Sequence, residues 1–132
     1  MGENSVLPPD ITIYTDGSSR GNPGPGGFGI GLMSGQYRKE VAQGFRRTTN
    51  NRMELLAVII ALEMLKVANS NVTLYTDSKY VANAINDNWL QGWVKKGFKN
   101  VKNVDLWARF LKIYPKHRVN FVWVKGHADH PF

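Results

Sequence analysis

Ile13-Tyr14-Thr15-Asp16-Gly17-Ser18 is echoed past the middle of the chain by Leu74-Tyr75-Thr76-Asp77-Ser78-Lys79. Each copy closes a short run of strand composition. Strand side chains alternate between faces, so Thr12, Tyr14 and Asp16 share one side of the first run, while Thr73, Tyr75 and Asp77 share one side of the second. Two such strands, parallel and adjacent, end with their carboxylates at the same sheet edge and on the same face. Bare carboxylates that close repel one another unless a cation sits between them. A metal site is therefore the first functional expectation, and a third acid would strengthen it.

From the first copy, the strand expected over about residues 11–18 runs into a turn-rich link, Arg20-Gly21-Asn22-Pro23-Gly24-Pro25-Gly26-Gly27. Phe28 to Met33 alternates again, and Ser34-Gly35 turns into a third strand over Gln36 to Phe45. Short links between three consecutive strands indicate an antiparallel meander. Gly24, Gly26 and Gly29 formally match a dinucleotide fingerprint, but that fingerprint opens a helix at its third glycine and this stretch runs into a strand. A turn between strands is the better reading.

The period changes at Thr48-Thr49-Asn50-Asn51-Arg52-Met53-Glu54. From Glu54 onward Ala57, Val58, Ala61, Leu62 and Leu65 follow helical spacing, and Leu55, Leu56, Ile59 and Ile60 leave little of the helix polar. Such a helix has to be covered, and it supplies the crossover that a parallel strand pair requires. Glu54 lies at its N-terminal end on the inward stripe, as the third acid. Further along, Ser78 to Ala84 is expected to be helical, followed by short helical pieces broken at Gly92 and Gly97. Val104 to Tyr114 reads as a helix with Leu106, Phe110 and Ile113 inward, and Val119 to Val124 as the last strand, ahead of a loop carrying His127.

Each acid also fits a structural role. Asp16 before Gly17 suits a turn, Asp77 suits a cap for the helix that follows, and Glu54, three residues after Asn51, suits the partner position of a capping box. Jointly they point elsewhere, because three like charges brought together serve no purpose for folding and form a site for a hard divalent cation.

Composition sets the outer limits. The 132 residues fit one domain, read as residues 11–132 behind a flexible leader of residues 1–10, and 42% hydrophobic with 20% charged residues is a soluble globular balance. The sequence has no uncharged apolar run near ~20 residues, no visible secretory signal and no cysteine, so the expectation is a cytoplasmic protein with neither membrane contact nor disulfides. A net charge of +7 indicates a polyanionic partner, and its distribution says more. Between Trp89 and Lys112, Lys95, Lys96, Lys99, Lys102, Arg109 and Lys112 stand against Asp105 alone, leaving +5 of the +7 in a segment that also holds Trp89, Trp93, Phe98 and Trp107. As plain structure, that segment would be a lysine-rich face over core tryptophans such as Trp89 and Trp107.

Taken together, residues 14–18 and 21–27, Thr48 to Leu55, Tyr75 to Ser78, and Val124-Lys125-Gly126-His127-Ala128 resemble the type 1 ribonuclease H family, its bacterial form in particular, in unbroken order. The resemblance implies an α/β fold built on a five-stranded mixed sheet, three antiparallel strands then two parallel ones, with helices on both faces. It implies hydrolysis of the RNA strand of an RNA–DNA hybrid with magnesium, or manganese in its place. By position, Asp16, Glu54 and Asp77 would ligate two ions and His127 would assist proton transfer or product release. Asn22, Asn50 and Asn51 would contact the RNA strand, and Arg47, Thr49 and Asn103 would hold a phosphate of the DNA strand. Trp93 would face DNA sugars, with Lys95, Lys96 and Lys99 in a hybrid-binding protrusion. The sequence departs from the family pattern at Lys79, at Phe98 and in a shorter loop at Lys99 to Val101. It also ends at Phe132, before the family's fourth carboxylate and final helix; Asp129 is either a substitute for that acid or a plain loop residue. A hybrid-binding module that does not cut, one completed by a second chain, and the nuclease part of a reverse transcriptase stay open as other readings; no obligate protein partner is expected.

Overall fold

The computed structural model describes residues 10–87, 89–99 and 101–125. His127 and Asp129 lie outside the described residues, as do residues 1–9. Strand β1 (Asp10–Ser19) is followed by β2 (Gly24–Ser34) and β3 (Tyr37–Thr48), then helix α1 (Asn50–Glu63) and β4 (Asn71–Thr76). Three helices come next, α2 (Lys79–Asn86), α3 (Trp89–Lys95) and α4 (Val104–Ile113), and after a 3₁₀ turn at Tyr114–Lys116 the strand β5 (Arg118–Trp123).

The five strands form one sheet in the order β3-β2-β1-β4-β5. β1 and β2 pair antiparallel, as do β2 and β3, whereas β1–β4 and β4–β5 are parallel, which is the mixed sheet expected. Tyr14 pairs with Tyr75 and Thr15 with Thr76, so the echoed motifs lie in matched register at the centre of the sheet. The rings of Tyr14 and Tyr75 stack at 4.9 Å between centroids. That register fixes the phase of the residues that follow, Asp16 and Asp77.

Ile11, Ile13, Val72, Leu74 and Phe121 face the core, where they meet Met53, Leu55, Val58, Ile59 and Leu62 of α1. Helix α1 lies against β1 and β2 and carries α4 on its outer side. Covered on both flanks, it carries apolar residues almost all round, as the sequence required. Trp107 and Phe110 of α4 are fully buried, and each such side chain contributes roughly 1.5–3 kcal/mol or more through burial. Ile113, expected to point inward, is only partly buried, and Trp107 takes the deeper position.

The four helices among the described residues all join this one core. The opposite face of the sheet carries Thr12, Tyr14, Thr73 and Tyr75, none of them fully buried, and the expected helical cover of that second face is not among the described residues. Two expectations need correction. Helix α3 passes through Gly92 without a break, because an exposed helical glycine costs about 1 kcal/mol against alanine but blocks nothing. The break expected at Gly97 is present, with Gly97 and Phe98 both in the left-handed region at φ of 65° and 63°. Trp89 is not core: at the start of α3 it stays 46% exposed while Leu90 turns inward.

Candidate active site

The structural roles available to the three acids belong to other residues. Asp16 sits inside β1 opposite Gly29 and is not in a turn. The N-cap of α1 is Thr49, whose hydroxyl accepts a hydrogen bond from the Arg52 backbone N–H at 3.2 Å, so Glu54 comes five residues after the cap and outside any capping box. The cap of α2 is Ser78, which accepts from the Val81 N–H at 3.1 Å, and Asp77 precedes it. Ser78 is held in turn by its own N–H donating to the Thr76 hydroxyl at 3.1 Å, and the Trp123 indole N–H donates to the Asp77 carbonyl at 3.1 Å. The β4–α2 junction that carries Asp77 is thereby fixed from both sides.

Gly17 brings Glu54 to the same place. A Cβ on residue 17 would stand 2.5 Å from the Met53 carbonyl carbon and 2.6 Å from the Glu54 backbone nitrogen, closer than any real side chain comes. Only glycine lets the first turns of α1 settle on β1 directly beside Asp16.

The electrostatics show that the three acids share one locality. Burial is the main cause that pushes the Glu54 carboxyl up from its ordinary 4.5 to about 7; a hydrogen bond with Ser78 pulls the other way, and the charges of Asp77 and Asp16 push it further up. Among the described residues, no three His, Cys, Asp or Glu side chains are drawn together into a ready-made metal shell. The donor set itself, hard carboxylate oxygens on rigid strand ends and a helix start, suits magnesium or manganese. Beside Asp16 a shallow trough of about 440 Å³ opens over Ser18, Gly27, Gly29, Ala42 and Gly44.

The expected substrate-binding residues lie on the elements around this centre. The Asn22 side-chain oxygen accepts from the Asn50 backbone N–H at 2.8 Å and from the Ser19 hydroxyl at 3.1 Å, tying the β1–β2 link to the start of α1. Asn51 and Arg47 are exposed beside that link, and the Thr49 hydroxyl, while accepting from the Arg52 N–H as the cap, keeps its own proton to donate. Lys95, Lys96 and Lys99 are all exposed, and Trp93 packs edge-on against Trp107 at 5.4 Å between centroids. Lys79 places its ammonium 5.2 Å from the centroid of the Trp123 ring.

Sequence reasoning missed Arg52. Its guanidinium grips Asp105 with two hydrogen bonds, of 3.0 and 2.7 Å, and donates to the Asn103 side-chain oxygen at 3.1 Å. Asp105 is held below the usual carboxylate range, chiefly by that hydrogen bonding. No periodicity or motif links positions so far apart in the chain, so only the packing of α4 on α1 reveals the pair.

The sequence model of the RNase H family matches residues 8–132. The ribonuclease H of Desulforamulus reducens is 54% identical over 127 residues, covering 92% of this chain and 79% of that protein, and the ribonuclease H of Syntrophus aciditrophicus is 53% identical, covering 90% and 71%. Among solved structures, LC9-RNase H1, described as a type 1 RNase H with the type 2 active-site motif, superposes with a TM-score of 0.83 at 31% identity over 95% of this chain and 67% of that one. LC11-RNase H1, solved in complex with an RNA/DNA hybrid, gives 0.59 at 28% identity over 86% and 85%.

Proposed function

This chain belongs to the RNase H family, and on that premise we propose that it cuts the RNA strand of RNA–DNA hybrids internally by hydrolysis, leaving 5′-phosphate and 3′-hydroxyl ends. One observation supports the reading: Asp16 and Asp77 follow the register-matched Thr15–Thr76 pair of adjacent parallel strands, and Gly17 lets the start of α1, with Glu54, close onto β1 beside Asp16.

In this reading Asp16, Glu54 and Asp77 would hold two magnesium ions, with manganese able to substitute. When bound, the ions supply Lewis-acid charge that makes a water nucleophilic and offsets charge on the departing 3′ oxygen. The chain's own residues do the rest. Gly17 lets α1 settle beside β1 and the Ser78 cap fixes the β4–α2 junction, so the fold itself positions the carboxylates, and Glu54 would ligate an ion in its deprotonated form. His127, by resemblance, assists proton transfer or product release.

Asn22, Asn50 and Asn51 would read the RNA strand, whose 2′-hydroxyls distinguish it from DNA. Arg47, Thr49 and Asn103 would receive a DNA-strand phosphate, and Trp93 its sugars. Lys95, Lys96 and Lys99 extend that track with positive charge, which gives affinity that falls as salt rises.

The test is cleavage of an end-labelled hybrid, with single-stranded RNA and duplex DNA as controls. Internal cuts in the RNA strand that need magnesium or manganese are expected, and Asp16→Asn is expected to stop them while hybrid binding stays. Tight binding with no cutting in either metal would replace the nuclease reading by a hybrid-binding module.

A further inference from the structure

Asn103 is the DNA-phosphate contact with the most constrained surroundings. It begins α4 in the left-handed region, with φ of 61°, and its side chain makes no capping bond. The amide is held instead at both ends. Its oxygen accepts from Arg52 at 3.1 Å, and its nitrogen donates to the Tyr80 hydroxyl oxygen at 3.2 Å. That hydroxyl also accepts the indole N–H of Trp107 at 2.8 Å.

The chemistry of these partners permits one orientation. A guanidinium has donors and no acceptor, so only the amide oxygen can face Arg52. An indole nitrogen is likewise a donor alone, so the Tyr80 oxygen faces Trp107 with one lone pair and receives the Asn103 NH₂ on another. Flipping the amide would set its NH₂ against the guanidinium N–H groups. The NH₂ carries two hydrogens and Tyr80 takes one; the second is the donor a phosphate oxygen needs. Asp105 neutralises Arg52 through its two-pronged pair and so keeps the guanidinium as an anchor. Trp93, the other DNA-strand contact, packs on Trp107, whose ring also lies 5.7 Å from that of Tyr80.

We propose that Tyr80 and Arg52 are positioning residues for recognition of the DNA strand. They lock the Asn103 amide with its donor outward, and the Tyr80 hydroxyl joins that amide to the Trp107 ring on which Trp93 rests. The inference rests on the reading of Asn103 as a contact to a DNA-strand phosphate.

The experiment uses the whole chain, with Tyr80→Phe, which removes one oxygen and keeps the ring, and Arg52→Lys, which keeps the charge and loses the fork. Folding is checked by near-UV circular dichroism. Each protein is assayed on hybrids in which single DNA-strand phosphates are replaced in turn by neutral methylphosphonates. Wild type is expected to lose affinity at one DNA-strand position. Both variants should raise KM about ten- to a hundredfold, in keeping with loss of a hydrogen bond to a charged group, leave kcat within about twofold, and show no further penalty from the methylphosphonate at that position. An unchanged KM, or a rise that leaves the full methylphosphonate penalty in place, would overturn the proposal. Wild-type cutting with no sensitive DNA-strand position would instead remove the phosphate-contact reading beneath it.

Discussion

The backbone nitrogen of Glu54 lies where a methyl group on residue 17 would stand 2.6 Å away, so the third carboxylate of the site reaches the first only because Gly17 has no side chain. The obstruction is backbone, which cannot swing aside as a flexible side chain can. Gly17→Ala is therefore expected to push the start of α1 off β1 and destabilise the protein by roughly 1–3 kcal/mol, the usual range for overpacking. Urea denaturation measures that loss. Cleavage by the folded fraction should fall by far more than the loss of folded protein explains.

Glu54 gives the metal-free protein a defined pH dependence. Its folded pKa is raised to about 7 from 4.5, so the folded state holds this proton more tightly than the unfolded chain does. The stabilisation is full below the unfolded value and is lost as pH rises through about 7. In EDTA, the urea midpoint should fall between pH 5 and 7.5, and Glu54→Gln should flatten that fall while abolishing cleavage. A midpoint with the same pH slope in the variant would show that another group titrates.

Ser78 has two duties, capping α2 and hydrogen-bonding the Glu54 carboxyl, and the second lowers the Glu54 pKa. Ser78→Ala should cost about 0.5–2 kcal/mol through removal of the cap. It should also move the acid limb of the pH–rate profile to higher pH, because Glu54 then holds its proton longer. A profile that keeps its position would limit Ser78 to capping.

Lys95, Lys96 and Lys99 are exposed and lie close together along the end of α3 and the turn after it. Replacing all three by glutamine should weaken hybrid binding and reduce the slope of log affinity against log salt by about 0.9 for each phosphate no longer neutralised. Fold stability should barely change, since exposed charges contribute little to it. An unaltered salt slope would take these lysines out of the interface.

The strands, their pairing sense and the three acids were readable in the sequence because they rest on local signals. A period of two around Tyr14 and Tyr75, a change to helical spacing after Thr48 and the repetition of Tyr-Thr-Asp together dictate a parallel pair with its carboxylates in phase. Helix starts were less legible. Asn51 and Thr49 both suit an N-cap by type, and which one takes it depends on where the backbone enters the helix, so the capping role open to Glu54 in the sequence fell away once Thr49 took the cap. Gly92 carried a breaker signal that an exposed helix overrides, and Trp89 looked like core by composition until the course of α3 turned it outward.

Patterning along the chain was enough to specify an antiparallel meander, a parallel pair and a last strand, and to single out three acids as candidates, since alternation and helical period act over neighbouring residues and need no knowledge of the rest. Folding in three dimensions was needed for Gly17 to admit Glu54 to Asp16, for Arg52 to clasp Asp105, and for Tyr80 to orient Asn103. Those are approaches across tens of residues, set by how closely α1 settles on β1 and α4 on α1. No pattern along the chain encodes a distance of approach between surfaces that only folding brings together.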